Sequence, residues 1–289
     1  MKVALFGAGG YVGKRLAARL SHDDVQIVSY SSREKGAFDS KSGVLQEGVQ
    51  IPIGTDCLVY LSQSPRYRQM PTEADHVWGV NVVSAIRAAN LARQSGVRRF
   101  IYASTGNVYA PSFSPLSEEC ALRRDDWYAL SKIHAEEGLA LFRNDMSMLS
   151  ARIFGVYGPG QTDKLVPSLV AAIRAKVPIK LAPNPTDIND TDGLRVSLCY
   201  IDDVVEIFSR LVSLDTAGAI NIAGPRVLSI RDMAEAIGRH IVQSPSFEVA
   251  SQPRPFDLIA DITSLVQVCQ PRFTSFDDGM RAVLDLAGA

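Results

Sequence analysis

The stretch KVALFGAGGYVGKRLAARL, Lys2 to Leu20, constrains this chain more than any other. A short apolar run enters Gly7, Gly10 and Gly13 and leaves them as a helical pattern. At this spacing the first glycine allows a tight turn, the second lets the backbone approach a ligand, and the third lets the helix pack close to the strand. The open N-terminus of such a helix favours an anion. The turn containing Gly7, Gly9, Gly10, Tyr11, Val12 and Gly13 is therefore the expected seat of a dinucleotide pyrophosphate.

Further apolar runs alternate with helical patterns along the chain. Lys2–Phe6, Val25–Tyr30, Cys57–Leu61, Phe100–Ala103, Met148–Ile153 and Ala219–Ile222 read as strands, and Gly13–Leu20, Val80–Gln94, Asp126–Phe142 and Leu165–Ala175 as helices. Strands that alternate with helices predict an α/β fold, a Rossmann-type doubly wound parallel sheet. From Gly158 onward, Pro159, Pro167, Pro178, Pro183, Pro185 and the polar run NPTDINDTDG predict loops. These belong to a smaller C-terminal substrate-binding lobe, where function often sits. The expected division is 1–155 plus 199–224 for the dinucleotide-binding domain and 156–198 plus 225–289 for the lobe. A chain of 289 residues, 46% hydrophobic, can bury a core of that size.

Charge and cysteine usage exclude several classes. With 30 basic against 31 acidic residues, the chain has no electrostatic footprint for nucleic acid or an anionic membrane. Cys57, Cys120, Cys199 and Cys269 are scattered without a CxxC, so neither a zinc site nor a disulfide framework is expected. His22, His76, His134 and His240 stand apart, and no metal role is assigned to them. The first apolar run is too short for a leader or a membrane span, so a cytoplasmic protein is expected.

At the end of the second strand, where dinucleotide folds often place an acid for the ribose, the chain reads Ser31, Ser32, Arg33 before Glu34. A guanidinium there would pair with a 2'-phosphate, which tilts the expectation toward NADP over NAD.

A second constellation lies in FIYASTGNVYA and DDWYALSKIHAEEG. The strand from Phe100 ends in the hydroxyls of Ser104 and Thr105, and Tyr128 follows Thr105 by 23 residues. Tyr128 and Lys132, four apart, share one helix face, with Asp125 or Asp126 as N-cap. A nearby ammonium favours phenolate, which suits a tyrosine that exchanges protons near neutral pH. Loops at the C-terminal ends of parallel strands share one sheet edge, so hydroxyl and phenol are expected to meet over a nicotinamide.

The glycine turn, the hydroxyl cluster and Tyr-xxx-Lys together resemble the extended short-chain dehydrogenase/reductase superfamily, in its NAD(P)-dependent sugar-nucleotide epimerase/dehydratase branch. The resemblance spans nearly the whole chain through DCLVYLSQS, GVNVVSA, ARIFGVYGPGQ, CYIDDVVEIF, NIAGP and RPFD. It implies catalytic roles for Thr105, Tyr128 and Lys132. It implies cofactor contacts from Leu61, Ser62, Asn81, Tyr128 and Lys132. Substrate contacts are implied for Ser104, Thr105, Arg195 and Arg254, with the arginines on a nucleotide diphosphate. A homodimer through the helices 80–94 and 126–142 is also implied.

The chain departs from the pattern in three places. Gly155 stands where many relatives carry asparagine, the acid-containing adenine motif after the third strand is missing, and Thr105 is followed by Gly106 and Asn107. Dehydratases of the branch carry Asp-Glu at that last position, and neither glycine nor asparagine exchanges a proton at neutral pH. What remains is reversible hydride transfer at a carbinol. The expected activity is 4-epimerisation of a nucleotide sugar such as a UDP-hexose. The alternative is an NADPH-dependent ketoreductase or dehydrogenase of a 4-keto nucleotide sugar or similar carbonyl. A third class, a non-catalytic NAD(P)-sensing regulator, would be expected to lose Thr105, Tyr128 or Lys132, and all three are present.

Overall fold

A computed structural model of the chain describes residues 1–31, 36–187 and 189–285; Ser32 and Arg33, on which the 2'-phosphate expectation falls, lie outside them. The first part of the chain forms β1 (Lys2–Phe6), α1 (Tyr11–His22), β2 (Gln26–Tyr30), β3 (Cys57–Tyr60), α2 (Ala74–Trp78), α3 (Ser84–Gln94), β4 (Arg99–Thr105), α4 (Trp127–Ala140) and β5 (Ser147–Ile153). The remainder forms β6 (Gly155–Tyr157), α5 (Leu165–Arg174), β7 (Ile179–Leu181), β8 (Arg195–Tyr200), α6 (Ile201–Leu211), β9 (Gly218–Ile222), β10 (Val227–Ser229), α7 (Ile230–Ile241), β11 (Phe247–Val249), α8 (Thr263–Cys269) and α9 (Phe276–Asp285).

Among the described residues, six strands pair in parallel as one sheet in the order β2-β1-β3-β4-β5-β9. Both faces are covered, which is why CLVY of β3 is apolar and buried at every position. The order reverses between β1 and β3, and the strand ends diverge there to leave a crevice. On one face an apolar cluster runs from Leu16 of α1 through Phe208 of α6 to Met233 of α7 and Met280 of α9. On the other, Ala85, Ala88 and Ala92 of α3 and Ala135 of α4 pack on Phe6, Tyr60 and Phe100. These small side chains let the helices approach the aromatic layer closely.

The helix expected from Val80 to Gln94 is present, but its first residues are wound as a π-helical turn and it continues without a gap from α2. A wide π-helical turn, Gly79–Val83, joins α2 to α3. Such a turn leaves carbonyls in need of partners, and buried phenols supply them: Tyr60 donates to the Val80 carbonyl at 2.6 Å and Tyr102 to the Asn81 carbonyl at 3.0 Å. The stretch from Gly158 carries α5 where a helix is expected at Leu165–Ala175, and it also holds β7 and most of β8 where its prolines predict loops. Pro167 lies in the first turn of α5, where a backbone N–H has no helical acceptor to lose. Beyond the main sheet, β10-β8-β6 and β11-β7 form two small sheets. No helix among the described residues is long and apolar enough to cross a membrane.

Helix α4 is anchored to β5 by a buried ion pair. Arg152 Nη2 lies 2.7 Å from Glu136 Oε2, with both side chains 8% exposed. Arg152 Nη1 also donates to the Tyr109 hydroxyl and the Glu118 carbonyl, each at 3.0 Å. An ion pair this dry holds geometry more than it adds stability, and breaking it strands a charge. Arg152→Met should cost about 3–5 kcal/mol in urea unfolding, and adding Glu136→Gln should recover a large part of that loss.

Candidate active site

The glycine turn is held by backbone bonds and by lack of space. Gly7 has φ +83°, and its N–H donates to the Tyr30 carbonyl at 2.8 Å. A Cβ on Gly13 would collide with the Gly7 carbonyl, and one on Gly7 would lie 2.8 Å from the Ser62 nitrogen. Gly10 is the N-cap of α1 and contributes no side-chain cap, so the amide end of the helix opens on the space above. That space is a cavity of ≈ 1090 Å³ over the carboxyl edge of the sheet.

Most of the residues singled out in the sequence line this one cavity. Gly7, Gly9, Gly10, Tyr11, Val12 and Gly13 form its floor at one end, with Ser31, Leu61 and Ser62 beside them. Ser104, Thr105, Tyr128 and Lys132 line its middle. Asp126 caps α4 by accepting from the Ala129 N–H at 2.9 Å, which sets the helix phase that turns Tyr128 and Lys132 to the same wall.

The polar groups in that wall are not equivalent. The Thr105 hydroxyl accepts from the Asn107 N–H at 3.2 Å, which leaves its own hydrogen to be donated. It is within hydrogen-bonding reach of the Tyr128 phenol and pulls the phenol's pKa down. Ser104 Oγ is buried with no hydrogen-bond partner in this state. The ammonium of Lys132 is fully enclosed; it donates to the Ala103 carbonyl at 2.9 Å and lies 4.7 Å from the centre of the Tyr102 ring. Burial lowers its pKa to about 7, against a smaller opposing pull from Glu136.

The phenol itself departs from expectation. Instead of being lowered by Lys132, the Tyr128 pKa is raised above the ordinary tyrosine value, by burial first and by Tyr67 and Asp126 in part, against the pull of Thr105. Lys132 is committed to Ala103 rather than to the phenol, and the phenol donates to Gln63 Oε1 at 2.9 Å.

Three other residues singled out in the sequence stand outside the cavity wall. Asn81 is fully buried; its Oδ1 accepts from the Ser64 N–H at 3.2 Å and its Nδ2 donates to Ser131 Oγ at 3.0 Å. Arg195 lies on the opposite face of β8 from Val196 and Leu198, which do line the cavity, and it pairs with Asp190 at 3.2 Å. Arg254 is 3% exposed and paired with Asp190 at 2.6 Å and Asp257 at 2.7 Å. In this arrangement neither guanidinium faces the cavity as a free cation. A side chain at Gly155 would first meet a terminal methyl of Leu198, which can turn aside.

Several lining residues were not singled out from sequence. Asp39 enters the wall near Ser31 and accepts from the Ser42 N–H and hydroxyl, both at 2.7 Å, bonds that hold its pKa below the usual carboxylate value. Gln63, Arg66 and Tyr67 come from the loop after β3, and Lys164 reaches Tyr67 from the N-cap of α5, its Nζ donating to the Tyr67 hydroxyl at 2.8 Å. The usable signal was position: polar residues just past the carboxyl end of a parallel strand face the ligand edge.

Comparison with known proteins agrees with this geometry. A family model described as the NAD dependent epimerase/dehydratase family matches residues 3–223. GDP-mannose 3,5-epimerase 1 of Oryza sativa subsp. indica is 26% identical over 275 residues, covering 82% of this chain and 68% of the relative. UDP-glucose 4-epimerase of Mycolicibacterium smegmatis is 25% identical over 230 residues, covering 73% of this chain and 72% of the relative. The solved structure of UDP-glucuronic acid 4-epimerase from Bacillus cereus in complex with UDP-glucuronic acid and NAD superposes with a TM-score of 0.79 at 20% identity, covering 100% of this chain and 99% of that one. At that identity the superposition speaks for the fold.

Lys132 makes stability depend on pH. Above about pH 7 the folded chain has released a proton that the unfolded lysine keeps up to its ordinary pKa near 10.4. Unfolding in that window takes up a proton, so this group's contribution to stability should rise with pH from about 7 to about 10. Urea unfolding of the wild type against Lys132→Met across that range should show the rise in the wild type and its loss in the variant.

Proposed function

The chain belongs to the NAD-dependent epimerase/dehydratase family, and from that premise we propose that it transfers hydride reversibly at a ring carbinol of a nucleotide sugar, as a 4-epimerase. The observation that carries the reading is the convergence of Thr105, Tyr128 and Lys132 on a cavity whose other end is the glycine turn. Names of relatives support the substrate class: UDP-glucose 4-epimerase and GDP-mannose 3,5-epimerase are among them.

The residues present fit a dinucleotide. The turn has no room for side chains at Gly7 and Gly13, and the α1 amide end opens on the cavity. Gly7 to Gly13, Ser31, Leu61 and Ser62 would hold it, with Lys132 on the nicotinamide ribose. When bound, the cofactor supplies the site that accepts and returns hydride. Tyr128 takes the carbinol proton as the carbonyl forms and gives it back on reduction, and Thr105 donates a hydrogen bond to the same oxygen. Arg33 favours NADP, whereas the negative charge of Asp39 in the wall favours NAD, because a carboxylate repels a 2'-phosphate.

A second reading, a ketoreductase that releases or takes up a free keto compound, is favoured by the far end of the cavity. Gly155, Val156, Val196, Leu198 and Leu258 make that wall apolar, and Arg195 and Arg254 are occupied by carboxylates. Such a wall offers little to retain a diphosphate while the intermediate turns over. Exposed Val83, Trp127 and Leu141, 39%, 50% and 75% accessible around α3 and α4, support a homodimer through those helices.

Tyr128→Phe should lower hydride transfer by about 10²–10⁴-fold while NAD(P)(H) binding, read by fluorescence titration, is kept. Assays with UDP-, dTDP- and GDP-hexoses and with 4-keto nucleotide sugars separate the two readings: interconversion without net cofactor consumption marks the epimerase, and stoichiometric NADPH oxidation marks the reductase. Undiminished turnover in the Phe variant would sink both.

A further inference from the structure

Gln63 is the lining residue that touches the Tyr128 hydroxyl as an acceptor, and its placement is built rather than incidental. It sits on the loop after β3, which the Leu61 N–H ties to the Phe6 carbonyl of β1 at 2.9 Å. The next residue, Ser64, donates its N–H to Asn81 at 3.2 Å, Asn81 donates to Ser131 at 3.0 Å, and the Ser131 hydroxyl donates to the Tyr128 carbonyl at 2.8 Å. With the Tyr128-to-Gln63 bond, these contacts close a ring between the loop and α4. Buried Asn81, standing behind the wall, is the strut that sets the span.

We propose that Gln63 is a positioning residue that holds the Tyr128 phenol as a hydrogen-bond donor aimed into the cavity, poised to protonate a substrate carbonyl oxygen. The proposal deepens the reading above, since it rests on Tyr128 exchanging the proton. An amide carbonyl can only accept from the phenol, so it keeps the hydroxyl hydrogen in place and leaves the oxygen's lone pairs to Thr105. In the reducing direction the dinucleotide, when bound, would supply hydride to the carbonyl carbon, and the C=O π pair would move to oxygen. That oxygen takes the Tyr128 proton, the O–H pair stays on the phenolate, and the hydrogen bond to Gln63 is given up as the substrate oxygen replaces it.

The other groups facing the phenol do not duplicate this hold. Tyr67 packs its ring 5.1 Å away, Asp126 acts on it only through its charge, Thr105 is a donor, and Lys132 faces Ala103. Each of the last two favours, or leaves alone, the ionised phenol; Gln63 favours the neutral one.

The test needs no substrate. Phenolate absorbance of wild type, Q63A and Q63E is compared with that of the same chains carrying Y128F, from neutral pH to the onset of alkaline unfolding. Q63A, which admits water in place of the acceptor, should ionise Tyr128 about one unit lower than wild type, and Q63E, a stronger acceptor, should ionise it higher. Gln63 is exposed on a loop, and Q63E carries the test by itself if Q63A fails to fold. With a 4-keto nucleotide sugar and NADPH, Q63A should move the alkaline limb of kcat down by the same amount and leave KM within about twofold. Equal ionisation in all three chains, or shifts of the same sign in both variants, overturns the proposal. Absence of hydride transfer in the wild type counts against the sugar-nucleotide reading alone, since the titration still reports on Gln63.

Discussion

The approach of Gly13 to the Gly7 carbonyl is the contact on which the rest of the structure depends. Because neither residue carries a side chain, α1 begins almost at the end of β1 and leans against it. That places a helix N-terminus at the mouth of the crevice made by the reversal in strand order. The loop after β3 is locked into the same corner, its Ser62 nitrogen so close to Gly7 that a Cβ there would strain the turn. A methyl group at either glycine would therefore disturb the turn, the helix start and the loop that carries Gln63 together.

Across the crevice, α4 is governed by electrostatics at low dielectric. Lys132 and Glu136 follow one another on the buried side of the helix, and Arg152 completes the run from β5. Burial depresses the lysine and the nearby carboxylate resists that depression. The ammonium reaches a backbone carbonyl and an aromatic face, so little of its charge is directed to the phenol. A spacing of four residues brings Tyr128 and Lys132 to one wall, but which partner each side chain takes is decided by what the strands place beside it.

The substrate end of the cavity shows the same division. The strand period of two determines that Val196 and Leu198 share a face and that Arg195 does not. Arg254 is drawn instead into a cluster with Asp190 and Asp257, and Arg254 and Arg195 together hold the Asp190 carboxyl, against its burial, at a pKa of about 2. Two cations that read as anion sites in the chain are thus neutralised by carboxylates folded onto them, and an aliphatic wall stands where they were expected.

Local order was legible in the sequence because neighbours along the chain set it. The five-residue run before Gly7 is β1 as read, and the strands expected at Val25, Cys57, Phe100, Met148 and Ala219 differ from those found by a few residues at their ends. The doubly wound sheet follows from their alternation with helices, and the carboxyl-edge rule brings Ser104, Thr105, Tyr128 and Lys132 into one cavity. Tertiary structure alone decided the π-helical winding at the start of the Val80 helix, the retreat of Asn81 into a strut, the pairing of Arg254 with Asp190, and the contact of Gln63 with Tyr128. Those pairs stand 64 and 65 residues apart in the last two cases. No local periodicity or motif spacing encodes such a meeting; it exists only once the strands have set the distance between the loops that carry it.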